Sequence, residues 1–180
     1  MNTLVIHPQD ASTDFLKPIY NNIKNKIVLT KGISKPNLIR LIKRYDRIIM
    51  MGHGSPGGLF AINWGKIHGY IIDDEMAKFL NEKENCFYIW CNADVFVDRH
   101  KLRGFYTGMF ISEVGEANWF DIKTTQDVVD QSNNTFAEIV SRHNSEPISE
   151  MYKSVLQEYG ELAETNEIAK YNHERLYIRP

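Results

Sequence analysis

The chain of 180 residues has only two cysteines, Cys86 and Cys91, and no Cys-x-x-Cys pair. That shortage excludes a disulfide-stapled scaffold and argues against a thiolate zinc site. If Phe87 to Trp90 is a strand, the odd offset between the two thiols sends them to opposite faces, so neither a mutual disulfide nor a shared metal is expected. No cofactor is expected, and a reducing, cytoplasmic setting is the simplest reading of free thiols. An excess of one charge is missing too. Lys and Arg number 21 against 23 Asp and Glu, so composition offers no argument for nucleic acid or an anionic membrane surface. No apolar run approaches the roughly 20 residues that cross a bilayer. "MNTLVIHPQD" has neither the basic n-region nor the long apolar stretch of a secretory signal. Repeats, low-complexity tracts and Pro/Gly-rich linkers are also lacking, so residues 1–180 read as one domain.

What is present is a hydrophobic fraction of 43%, enough for a real core, arranged as alternating strand and helix patterns. Strands are expected at Thr3–His7, Lys26–Thr30, Arg47–Met51, Cys86–Trp90 and Gly108–Glu113. Helices are expected at Ser12–Asn22, Ser34–Tyr45, Asp73 or Asp74 to Asn81, and over "DVFVDRHKL". "GLFAIN" and "GYIID" form the arms of a hairpin around Trp64 to His68. From Thr125 the pattern is mainly helical, over 125–143, 148–159 and 161–173, with "LYI" near the end as a strand or a docked tail. The expectation is an α/β core over 1–124 and a mainly helical part over 125–180. Its central sheet is mostly parallel and flanked by helices, because strands such as "RIIMM" show no polar alternation.

In such sheets chemistry gathers at the carboxyl ends of the strands. "IIMMGHGSPGG" ends its apolar run on His53, and "FYIWCNAD" ends its run on Cys91. A thiol attacks a carbonyl as thiolate, which an imidazole and a following helix N-terminus promote. Taken singly, each residue has a plainer reading: cysteine is usually a small core hydrophobe and Gly-His-Gly usually a turn. The conjunction of the two strand ends is what points to a dyad.

Those residues carry a resemblance. "MGHGSPGGLF", a hairpin, a helix, "FYIWCNAD" and then "TGMFISEV" resemble the caspase-like cysteine peptidases of clan CD, in particular the bacterial clostripain and CHAT-type branches. The resemblance covers about Arg47 to Ala117, with 91 − 53 = 38 residues separating histidine and cysteine. It implies a three-layer caspase-like fold with a small β-hairpin after the catalytic histidine. It also implies peptide-bond hydrolysis with His53 as general base and Cys91 as nucleophile, the amides of Gly54 and Cys91 forming the oxyanion hole. The substrate is then a protein or peptide. In such folds the region after the fifth strand helps to shape the pocket for the residue preceding the cut. Glu113, Glu116 and Asp94 are the candidate pocket carboxylates here, and they favour lysine or arginine by ion pairing. The plainer reading of the glutamates is a cap on the next helix. The chain lacks an obvious propeptide and a caspase-type subunit linker, and "CNAD" marks no one subfamily.

Two other classes compete. A catalytically silent scaffold of the same fold would bind a protein partner, through the helical C-terminal part. A flavodoxin-like phosphate or nucleotide binder would use "GHGSPGG" as its loop, provided that a helix starts at Gly57. Ser55 is a poor nucleophile candidate, because Gly-x-Ser-x-Gly needs glycine where His53 stands. His7 and Asp10 follow the first strand and reach the same rim, with loop and cap roles as the plainer reading. His68 is expected in an exposed hairpin tip and His100 on a solvated helix face. Lys35, Arg40, Lys43 and Arg44 form a solvated basic face.

Overall fold

A computed structural model describes residues 1–63 and 66–180. The parallel part of the main sheet is built from β1 (Thr3–Ile6), β2 (Lys26–Leu29), β3 (Arg47–Met51), β7 (Asn85–Ile89) and β8 (Gly104–Thr107). Its order is β2-β1-β3-β7-β8, closed at the far edge by β9 (Leu176–Arg179), which pairs antiparallel with β8. The "LYI" segment is therefore a strand, and the C-terminal part returns to the sheet after its helices.

The uninterrupted apolar strands are explained by the two faces they bury. In β3, Ile48 and Met50 point into one core and Ile49 and Met51 into the other. Leu4 and Val5 split in the same way in β1, as do Cys86 and Phe87 in β7. This is the period of two with helices on both sides. One face is covered by α2 (Lys35–Arg44), α3 (Asp74–Leu80) and α4 (Ala93–His100), through Leu38, Met76 and Phe96 among others. The other is covered by a 3-10 helix (Ala11–Leu16), α1 (Pro18–Asn21), α6 (Gln126–His143), α7 (Ile148–Ala163) and α8 (Glu167–His173). The result is a three-layer α/β fold in which the helical C-terminal part forms one of the layers.

A separate three-stranded antiparallel sheet, β4 (Gly54–Ser55), β5 (Gly58–Asn63) and β6 (Lys66–Ile72), follows β3. The hairpin is thus present, its first arm as the sequence pattern suggested and its second beginning earlier, at Lys66, so that His68 is an exposed residue of β6. The anticipated turn residues Trp64 and Gly65 lie outside the described residues. One strand was misplaced. Gly108–Glu113 is not a strand; the sheet uses Gly104–Thr107 instead. Gly108 donates its amide to Arg175 O, just before β9, and Phe110 and Ile111 are buried as core plugs beyond the strand end. An apolar run of that length fits either role. The helix expected over Ser12–Asn22 is split into the 3-10 turn and α1 at Pro18, where a proline lacks the N–H that a continuous helix needs.

Candidate functional site

The strand order reverses between β1 and β3, since β2 lies outside β1 and every later parallel strand lies beyond β3. Open α/β sheets form their crevice at such a point, outside the carboxyl ends. Asp10 and Ser12 follow β1, His53 follows β3, and Cys91 follows β7. All four are delivered to that rim by the topology.

Local backbone explains each placement. Gly52 has φ +136°, a conformation that side chains other than glycine's rarely adopt. Its amide still donates to Ile89 O at 3.1 Å, so the chain leaves the sheet only at His53. On β7 the exit is sharper. Asn92 sits in the left-handed region (φ 62°, ψ 33°) between the strand and α4, a site that asparagine tolerates better than most residues. Cys91 is thereby held at the strand-to-helix corner. Gly54 pairs with Leu59 while Phe60 N donates to His53 O. Gly54 is thus in a non-hydrogen-bonded pair, and its own N–H points away from β5. A Cβ there would collide with the Trp90 indole and approach Gly58 O to 2.6 Å.

His53 and Cys91 line one narrow crevice of about 20 Å³ together with Phe15, Trp90, Phe110 and Ser112. That volume is about one water's worth. Among the described residues no hydrogen bond joins the imidazole to the thiol. His53 Nε2 instead lies 2.7 Å from Ser12 Oγ, which lies 2.7 Å from Asp10 Oδ1. Cys91 Sγ donates to Phe110 O at 3.4 Å and lies 3.9 Å from Glu116 Oε1. Burial, then the Glu116 carboxylate, pushes the Cys91 thiol up to about 12. In this arrangement Cys91 is a neutral thiol, whatever the helix N-terminus downstream contributes.

The three candidate carboxylates separate. Glu116 is buried, and its Oε2 accepts from Ser112 N at 2.7 Å, Ser112 Oγ at 3.2 Å and Glu113 N at 3.2 Å. It thereby caps α5 (Val114–Trp119) while one oxygen faces the thiol. Glu113 is the N-cap residue of α5 and lines a second, open cleft of about 600 Å³. Asp94 lies in the first turn of α4 and lines neither cavity. Its Oδ1 is buried without a partner among the described residues, and burial raises its carboxyl above the usual range against the pull of Arg175.

The open cleft adjoins the crevice through Phe15 and Ser112, and its polar wall includes Ser12, Glu113, Gln126, Asp130 and Asn133. Asn133 is only 4% exposed; its amide nitrogen donates to Ser112 O at 2.9 Å, while Oδ1 has no partner among the described residues. The cleft therefore presents two carboxylates, while the orphaned Asn133 Oδ1 is buried behind its wall. Ser12, Asp130 and Asn133 are absent from the sequence-based site. Asp10 and Ser12 carry a capping signature, but nothing in sequence links it to a histidine 41 residues away, and α6 reads as an ordinary amphipathic helix.

The remaining candidates have structural partners. His7 is buried between Tyr20 Oη (3.2 Å) and Thr13 Oγ1 (3.1 Å), and burial lowers it to about 4. Asp10 does cap the 3-10 helix through Ser12 N. His100 is not free in solvent as expected, because its Nε2 lies 2.8 Å from Asp74 Oδ1. Ser55 bonds Tyr70 Oη at 2.8 Å, and Gly58 starts a strand rather than a helix. The basic face of α2 is exposed, with Lys35 paired to Asp73 and Glu75. Among the described residues no cluster of three or more His, Cys, Asp or Glu is placed to hold a metal ion, and no helix is long and apolar enough to cross a membrane. The chain matches no protein-family model and no curated protein.

Proposed function

We propose that the protein is a cysteine endopeptidase of the caspase-like kind, with Cys91 as nucleophile and His53 as general base. The observation that carries this reading is their joint placement: the adjacent parallel strands β3 and β7 lead to them at the carboxyl edge, next to the reversal between β1 and β3, and both line one crevice. The Cys91 thiol turns from Phe110 O toward the imidazole and loses its proton. Its sulfur then bonds to the peptide carbonyl carbon, and the carbonyl oxygen becomes an oxyanion facing the unused Gly54 amide and that of Cys91. Collapse breaks the C–N bond, the departing amine takes the proton from His53, and water hydrolyses the thioester. The cleft with Glu113 and Asp130 supports a basic residue before the cut, since its two charged side chains are both carboxylates, which pair with a cation.

A second reading, a silent scaffold that binds a protein partner, is favoured by one specific fact. The thiol is held near about 12 beside Glu116, which opposes thiolate formation. A thiol-reactive peptide probe with a basic residue at its reactive end separates the two. The peptidase reading expects labelling of the wild type and none of Cys91→Ala, together with turnover of a fluorogenic peptide library. An intact fold that neither labels nor cleaves would overturn the peptidase reading and favour the scaffold.

A further inference from the structure

We infer that Ser12, held by Asp10, is a positioning residue that fixes the tautomer of His53 and leaves Nδ1 as its basic nitrogen. The inference follows from counting protons along Asp10 Oδ1, Ser12 Oγ and His53 Nε2, which are joined by two contacts of 2.7 Å. An ionised carboxylate only accepts, and a serine hydroxyl has one proton to give. Asp10 is kept ionised, because hydrogen bonds from the Ser12 hydroxyl and amide hold its carboxyl below the usual range. The hydroxyl proton therefore goes to Asp10. Were it turned to His53 instead, two bare oxygens would face each other at 2.7 Å. Ser12 Oγ is left as the acceptor, so Nε2 must carry a proton and donate it. A neutral imidazole then has its lone pair on Nδ1. When that nitrogen takes a proton, the ring becomes an imidazolium whose Nε2, still anchored on Ser12, lies 3.9 Å from Asp10 Oδ1.

Sequence and local structure make this a built feature. Asp10 caps the 3-10 helix through the amide of the same Ser12 whose hydroxyl it orients. One carboxylate thus sets both the backbone turn and the hydroxyl direction. Tyr20 and Thr13 occupy both ring nitrogens of the neighbouring His7, so that histidine does not compete for the relay. The inference rests on the proposed reaction only for the use made of Nδ1; the tautomer itself stands apart from it.

The test is nitrogen-15 NMR of the histidine ring nitrogens in the full chain, above the ordinary titration range of imidazole (about 6.5), with His53 assigned by His53→Gln. The expected spectrum shows a protonated Nε2 whose proton exchanges slowly with water, and an unprotonated Nδ1. Ser12→Ala loses the slow exchange while the Asp10 cap on the residue-12 amide persists, and Ser12→Thr restores it. An Nδ1–H tautomer in the wild type, or identical tautomer and exchange in Ser12→Ala, overturns the inference. On a peptide that the wild type cleaves, Ser12→Ala should lower kcat by about 10- to 100-fold with KM little changed, and Ser12→Thr should recover most of it. A rise in KM alone, or equal loss in both variants, also overturns it. If no peptide is cleaved, the peptidase reading fails, while the NMR result still decides the relay.

Discussion

His53 and Cys91 stand in register. The β3–β7 ladder pairs Arg47 with Asn85 and Met51 with Ile89, an offset of 38 that is the same as 91 − 53. Each residue lies two places beyond the last rung on its own strand. In parallel neighbours such a pair shares one edge of the sheet, and whatever replaces either residue stays beside the other. His53→Gln should therefore remove the base without disturbing the nucleophile. The expected loss in kcat is about 100- to 10,000-fold with KM nearly unchanged, and probe labelling of Cys91 should persist at a reduced rate. A kcat equal to that of the wild type would leave His53 without a catalytic part.

Glu116 faces the proposed nucleophile. Its carboxylate is the second cause, after burial, of the raised Cys91 thiol. Glu116→Gln keeps an oxygen that accepts from Ser112 N and removes the charge near Sγ. The rate of Cys91 alkylation by iodoacetamide at fixed pH should then rise, with its half-maximal pH moved below about 12. Cys86, fully buried and itself pushed up to about 11 by burial, should stay unreactive in both proteins and serves as the internal reference. An unchanged rate at Cys91 would remove Glu116 as a controlling charge.

Much of this arrangement was readable from the order of residues, for definite reasons. The strands β3 and β7 are apolar on both faces, as a strand sandwiched between two helical layers requires, and each is followed by a polar residue after the run. The capping of α3 by Asp73 and the amphipathic spacing of α6 are local signals as well. What escaped was settled by distant partners. "GMFISE" is apolar enough for a strand, yet the place beside β7 is taken by "GFYT" because Phe105 and Tyr106 pair with Phe87 and Tyr88. Glu116 looks like a rim carboxylate, but its fate depends on Ser112 and Glu113 amides folding back on it. Ser12 meets His53 only because β1 and β3 are neighbours, and Asn133 reaches the cleft only through the packing of α6.

Gly54 is constrained by the indole beneath it. A methyl group there meets Trp90 and Gly58 O at distances that backbone cannot absorb without moving β4 or β5. Gly54→Ala should destabilise the fold by about 1–3 kcal/mol, read as a shift in denaturant midpoint. It should also depress kcat beyond what the lost stability explains, because the Gly54 amide turns with the strand. A variant with wild-type midpoint and wild-type kcat would show that neither the packing nor the amide matters.

The acceptor-lined cleft gives a selectivity prediction. Glu113→Gln with Asp130→Asn removes both charges from its wall and leaves the crevice residues untouched. On paired peptides that differ only in arginine or norleucine before the cut, the preference for arginine should fall by about tenfold or more. A ratio unaffected by both changes would exclude this cleft from substrate selection.

His7 predicts how stability responds to acid. Thr13 Oγ1 already donates to Asp10 O, so it accepts from His7 Nε2, and Tyr20 Oη donates to Nδ1. The folded protein thus holds the ring neutral, and burial brings its value down to about 4 from 6.5. Between those values the unfolded chain binds a proton that the folded one refuses. Stability from this site is therefore complete above about 6.5, declines as pH falls, and stops changing below about 4. The loss is on the order of 3 kcal/mol. His143 works in the opposite sense, since Glu146 and Glu158 raise it, so the measurement is a difference. Urea unfolding of wild type and His7→Gln from about pH 8 to about pH 3 should show a steeper decline for the wild type between about 6.5 and about 4. The two curves should run parallel above and below that window. Equal slopes throughout would mean that His7 titrates alike in the folded and unfolded chain.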